Sequence, residues 1–117
     1  MSAKTYALWG GIILLVLGVL GFVMSGRVFG LNSDPLEDVI HLVVGALLAY
    51  SGFRGTDKQA AMWAKTFGIV FLVVGVAGFL SKNLFGLLPG GLGTFDNIVH
   101  LAYGALGAWA GMSYKGM

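Results

Sequence analysis

The stretch Gly11-Ile-Ile-Leu-Leu-Val-Leu-Gly-Val-Leu-Gly-Phe22 returns further along the chain as Gly68-Ile-Val-Phe-Leu-Val-Val-Gly-Val-Ala-Gly-Phe79. A second pair follows the first. Glu37-Asp-Val-Ile-His-Leu-Val-Val-Gly-Ala-Leu-Leu-Ala-Tyr-Ser-Gly52 returns as Asp96-Asn-Ile-Val-His-Leu-Ala-Tyr-Gly-Ala-Leu-Gly-Ala-Trp-Ala-Gly111. Each unit is a Gly-rich apolar segment, a short polar break and a His-bearing apolar segment. Repetition on this scale marks a fold assembled from one supersecondary unit. Here the unit is a helical hairpin, present at about residues 5–53 and again at 62–112.

Working outward, the 117 residues suit a single domain over 1–117, yet 57% are hydrophobic and only 10% charged, which is wrong for a soluble core. Such a chain calls for a lipid bilayer. About 20 apolar residues at roughly 1.5 Å each cross a hydrocarbon layer of about 30 Å. Four segments approximate this: Thr5 to Met24, Pro35 to Phe53, Met62 to Leu80 and Phe95 to Met112. The expected fold is all-α, a four-helix transmembrane bundle built from two parallel-repeat helical hairpins. An even number of spans per unit sends both copies into the bilayer in the same direction, as parallel repeats do around an axis along the membrane normal.

Charge position sets the orientation. Lys4, Arg54, Lys58, Lys65 and Lys115 flank the N-terminus, the middle connection and the C-terminus. Asp34, Glu37, Asp38 and Asp96 gather with Arg27 and Lys82 at the other two connections. The positive-inside bias places both termini in the cytoplasm, with a bacterial inner membrane as the expected location. The net charge of +2 is too small to indicate nucleic acid. The absence of cysteine removes disulfides, thiolate metal sites and thiol nucleophiles. Lys4 followed by an apolar run imitates a signal peptide, but the pattern recurs inside the chain, so this segment is expected to be retained.

Tyr6, Trp9, Tyr50, Phe53, Trp63, Trp109 and Tyr114 fall at one level and predict an aromatic belt. Arg54 to Gln59 reads as the short polar connection between the hairpins. Opposite it, Ser25 to Ser33 and Ser81 to Gly93 hold irregular breaks, with Phe29-Gly-Leu31 and Phe85-Gly-Leu87 expected to dip into the interface. Asp34-Pro35-Leu36-Glu37 has the chemistry of a helix start, with Asp34 as cap and Glu37 closing a capping box. Thr94 is the expected cap of the last segment.

Two stripes carry the candidate chemistry. Gly11, Gly18, Gly21 and Ser25, echoed by Gly68, Gly75 and Gly78, predict small-residue helix contacts, because lipid supplies little hydrophobic drive for association. His41, Gly45, Ala49 and Gly52 share a face, matched by His100, Gly104, Ala108 and Gly111. Each His lies about six residues, roughly 9 Å, inside its helix, where ionisable side chains are rare and invite a functional reading.

Three readings stay open. Each imidazole is a structural group, paired at i,i+4 with Glu37 or Asp96. Alternatively, His41 and His100 are axial ligands of a haem or chlorophyll-type pigment, with the following glycines leaving space for a flat macrocycle. In the third, Glu37, His41, Asp96 and His100 form a metal site or a proton-relay cluster, a ligand set suited to zinc or iron. Carboxylates in the first turn also favour the helix dipole without any metal.

No HExxH pair, P-loop, GxSxG elbow or dinucleotide fingerprint is present, and no nucleophile sits beside an activating base, so no enzyme is expected. The repeated Gly-Val-x-Gly-Phe at Gly18 to Phe22 and Gly75 to Phe79, each followed by Asp or Asn-x-x-His-Leu at Asp38 to Ala46 and Asn97 to Ala105, resembles a family of small bacterial four-helix membrane proteins classed as a domain of unknown function. The resemblance covers nearly the whole chain. It implies an integral membrane protein without an assigned reaction and brings no active site with it. The functional expectation is a non-enzymatic scaffold or accessory subunit, associated with other membrane protein subunits or with further copies of itself.

Overall fold

A computed structural model describes residues 2–24, 34–86 and 91–114. The chain forms four helices, α1 (Ala3–Val23), α2 (Pro35–Phe53), α3 (Asp57–Leu80) and α4 (Thr94–Met112). No strand occurs among the described residues. The expected all-α four-helix architecture is borne out. Ser25, Arg27, Phe29 to Leu31, Leu87 and Lys115, for which the sequence raises expectations, lie outside the described residues.

Local chemistry explains the helix boundaries, including those that differ from expectation. Ser2 Oγ accepts from the Thr5 amide at 3.1 Å, so α1 starts two residues early. Thr56 Oγ1 accepts from the Gln59 amide and Gln59 Oε1 from the Thr56 amide, a reciprocal capping box that starts α3 at Asp57 rather than Met62. Half of the expected polar connection is therefore helix. Asp34 stands at the N-cap of α2, but its side chain makes no cap hydrogen bond, and the predicted box with Glu37 does not form. Gly93, not Thr94, caps α4.

Helices α1, α2 and α3 are long and apolar enough to cross a membrane. The expectation of four such spans meets a limit at α4, where Thr94, Asp96, Asn97 and His100 crowd the first two turns.

Packing is densest within each hairpin, α1 on α2 and α3 on α4. A methyl group on Gly11 would strike the Ala49 amide and lie 2.7 Å from the Gly45 carbonyl oxygen; one on Gly45 would lie 2.8 Å from the Gly11 oxygen. The second hairpin makes the corresponding contacts. A methyl on Gly68 would strike the Ala108 amide, and one on Gly104 would lie 2.6 Å from the Gly68 oxygen. Gly18 receives Leu42, and Gly75 receives Leu101; Gly21 lies under the Asp38 carboxylate, and Gly78 under the Asn97 amide. The hairpins meet along α1–α3, α2–α3 and α1–α4, whereas α2 and α4 stand diagonally opposite with no Cα pair within 8 Å.

The polarity runs inside out. Ile13, Val16, Val19, Val43, Val73 and Val76 are exposed, while Glu37, Asp38, His41, Asp96, Asn97 and His100 are buried. Trp9, Tyr50, Phe53 and Trp109 are exposed, as an aromatic belt requires. Tyr6 departs from that expectation. It is only 5% exposed, its hydroxyl donates to the Tyr103 carbonyl at 2.9 Å, and its ring packs on Tyr103 with centroids 5.2 Å apart.

Gly11→Leu and Gly68→Leu should each destabilise the bundle by about 1–3 kcal/mol or more, because the added atoms meet backbone that cannot rotate away. Thermal unfolding in mild detergent should show the loss, with Ala46→Leu on the exposed face of α2 changing little.

Candidate functional site: a buried Glu-His-His cluster

His41 and His100 are each the seventh residue of their helices. At that depth the two rings turn toward the bundle interior across the α2–α4 diagonal. His41 Nε2 lies 3.7 Å from Glu37 Oε1, and His100 Nε2 lies 3.8 Å from the same oxygen. Both separations exceed hydrogen-bond length. They are close enough for strong Coulomb attraction if either ring is protonated. All three residues are buried, and one ligand atom from each lies within 4.8 Å of the others.

Both Nδ1 atoms are buried without a hydrogen-bond partner. Phe71 of α3 stacks on His100 with centroids 5.8 Å apart and planes at 22°, and it meets Tyr103 edge-on at 5.0 Å.

Of the four residues read from the sequence as a metal or relay set, Glu37, His41 and His100 each bring one ligand atom within 4.8 Å of the others. Glu37 and Asp96 occupy the same third position of their helices. Asp96 Oδ2 accepts from the Gly93 amide at 2.8 Å and so stays at the start of α4. Glu37 is one methylene longer and reaches both rings. The Glu37 carboxylate lies near both imidazoles. Asp96 still lines a small chamber of about 60 Å³ together with Glu37, His41, His100 and Tyr103.

Gly45 and Gly104 do not open a gap beside the histidines, since the backbones of α1 and α3 fill it. Nor do these glycines face each other, as the backbones of α2 and α4 stay more than 8 Å apart. On the other side of the cluster, between α2 and α3, lies a larger cavity of about 230 Å³.

Sequence reasoning missed Phe71, Tyr103 and Tyr6 as parts of this centre. Tyr103 carried a signal, lying three residues after His100 on the same helical face. For Phe71 and Tyr6 the placement depends on contacts between hairpins, which helical periodicity does not encode.

The geometry defines a class, a four-helix bundle with span-grade helices and a buried two-histidine, one-carboxylate cluster. The chain belongs to the family described as Domain of unknown function (DUF4383), whose model matches residues 4–113, in agreement with the resemblance carried by the repeated motifs. No curated protein and no solved structure matches the chain.

Asp96→Ala should cost about 0.5–2 kcal/mol through the lost cap interaction. Amide exchange should quicken in the first turn of α4, with little change in α2.

Proposed function

We propose that this protein is a non-enzymatic integral membrane protein that holds one divalent transition-metal ion at Glu37, His41 and His100, with both termini on the cytoplasmic side. The observation that carries this reading is the convergence of two buried imidazoles on one buried carboxylate oxygen. Burying three such groups in a low-dielectric interior is costly unless something compensates their polarity. A cation coordinated by all three would do so.

The distances support it. Nitrogen and oxygen ligands sit about 2.0–2.1 Å from zinc, which puts tetrahedral neighbours roughly 3.4 Å apart. The two His–Glu separations of 3.7 and 3.8 Å are within about 0.4 Å of that value, and all three ligand atoms lie within 4.8 Å of one another. Two imidazoles and a carboxylate suit Zn²⁺ or Fe²⁺ over the hard cations, which prefer all-oxygen shells. Three protein ligands leave one position for water, and the adjoining chamber of about 60 Å³ has the room.

The metal would also have a structural effect. Its ligands come from α2 and α4, whose backbones stay apart, so the ion would tie one hairpin to the other. A scaffold or accessory-subunit role concerns the outer surface instead. That surface is apolar in the way lipid alone requires, so the buried cluster is the more distinctive feature.

The test uses full-length protein purified in mild detergent, stripped with chelator and titrated with Co²⁺ and Zn²⁺. One equivalent per chain is expected, with the intense visible absorption of low-symmetry Co²⁺ and a higher unfolding temperature. Glu37→Ala, His41→Ala and His100→Ala should each abolish tight binding. Asp96→Asn should weaken it by about 10–100-fold at most, as outer-shell changes do. Sub-stoichiometric binding, or binding indifferent to both histidine substitutions, would sink the proposal.

A further inference from the structure

We propose that Phe71 is a positioning residue for the centre: its ring fixes the plane of the His100 imidazole and leaves His41 as the ligand that adjusts when an ion arrives. The consequence for metal binding rests on the reading above, whereas the unequal ordering of the two imidazoles belongs to the metal-free protein.

The asymmetry begins in the repeat. Gly11 and Gly68 hold equivalent positions, and three residues after them stand Leu14 and Phe71. Both are buried, at 4% and 5% exposure. Leu14 presents a branched aliphatic chain. Phe71 presents a ring, which lies on His100 with centroids 5.8 Å apart and planes at 22°, inside the range of attractive offset stacking. Among the described residues no aromatic ring stacks on His41.

Phe71 is held in turn. It meets Tyr103 edge-on at 5.0 Å, Tyr103 packs on Tyr6 at 5.2 Å, and the Tyr6 hydroxyl donates to the Tyr103 carbonyl at 2.9 Å. A buried ring with such neighbours has little room to turn, because protein interiors are close-packed. Side chains of α1, α3 and α4 therefore act together on one imidazole.

The chemistry of the ligand makes this restraint matter. The torsion that swings an imidazole about its Cβ–Cγ bond is broad and roughly two-fold, so a neighbour has to select the angle. In metal centres that neighbour is commonly an acceptor on the second ring nitrogen. Here the Nε2 atoms lie 3.7 and 3.8 Å from Glu37 Oε1, and neither Nδ1 has a hydrogen-bond partner. Stacking restrains a ring through its flat face and leaves both nitrogens, which lie on the edge, available to an ion. His100 is thus set in advance, and Glu37 and His41, four residues apart on α2, close toward it. Ordering one ligand before the ion arrives lowers the entropy cost of binding.

The chain holds only two histidines, so ring-¹³C-labelled histidine reports on both in full-length protein purified without a histidine tag in mild detergent. His41→Ala assigns the two sets of signals. In chelator-treated wild-type protein the His100 ring should relax with the α4 backbone, and the His41 ring should show additional motion. Phe71→Leu should release His100 to the mobility of His41, Phe71→Tyr should keep it fixed, and Leu14→Ala, at the equivalent buried position, should leave it unchanged. Titration with Co²⁺ should then show binding weakened by about 10–100-fold in Phe71→Leu, the size of effect that loss of an orienting neighbour has at other metal centres, with an altered visible spectrum. Phe71→Tyr should restore both. A wild-type protein whose rings are equally ordered would overturn the proposal without recourse to any variant. So would a His100 ring indifferent to Phe71→Leu, or Co²⁺ binding weakened as much by Leu14→Ala as by Phe71→Leu. Absence of Co²⁺ binding in wild-type protein, with His100 fixed and freed by Phe71→Leu, would remove the metal reading and leave the positioning role standing.

Discussion

The structure depends on backbone meeting backbone inside each hairpin. In lipid, apolar side chains gain little by leaving their surroundings for one another, so helices need close van der Waals contact to associate. Gly11 against Gly45 and Gly68 against Gly104 provide it, because a single methyl at any of the four would strike main-chain atoms of the facing helix. This contact also fixes the rotation of α2 and α4 about their own axes. Residues four apart share a helical face, so seating Gly45 on α1 commits His41 and Glu37 to neighbouring directions, and seating Gly104 on α3 does the same for His100.

The central cluster follows from that commitment. Two hairpins, each closed by its own glycine contact, bring their polar first turns toward the middle of the bundle while valines and leucines cover the outside. The histidines approach across a diagonal that the helices themselves do not bridge. The hairpins are not equivalent at this point. Asp96 is occupied by the Gly93 amide, whereas Glu37 extends to both rings, and Phe71 packs on His100 where the first hairpin has Leu14 at the corresponding repeat position. Similar sequences thus produce a centre with one carboxylate, two imidazoles and an aromatic wall on one side. Its two flanking spaces differ accordingly, a small chamber reaching Asp96 and Tyr103 and a larger apolar cavity beneath Leu84.

Several local expectations changed for reasons of short-range chemistry. Helix α3 extends back to Asp57 because Thr56 and Gln59 satisfy each other's amides, a pairing that a hydropathy reading passes over since both residues are polar. Thr94 yields the cap to Gly93 because Asp96, three residues on, accepts from the Gly93 amide. Tyr6 leaves the predicted belt for the interior because its hydroxyl finds the Tyr103 carbonyl, which removes the penalty of burying a phenol.

The sequence by itself determined the helix count, the α2 boundaries, the small-residue stripes and the residue types near the centre. Those properties are written in composition and in spacings of three, four and seven, which helical geometry reads directly. Tertiary structure decided which carboxylate serves both histidines, that Phe71, Tyr103 and Tyr6 build the aromatic interior, and that the glycines face their own hairpin partner rather than a ligand. These outcomes turn on how far a side chain reaches and on how two hairpins dock, and a one-dimensional pattern carries neither quantity.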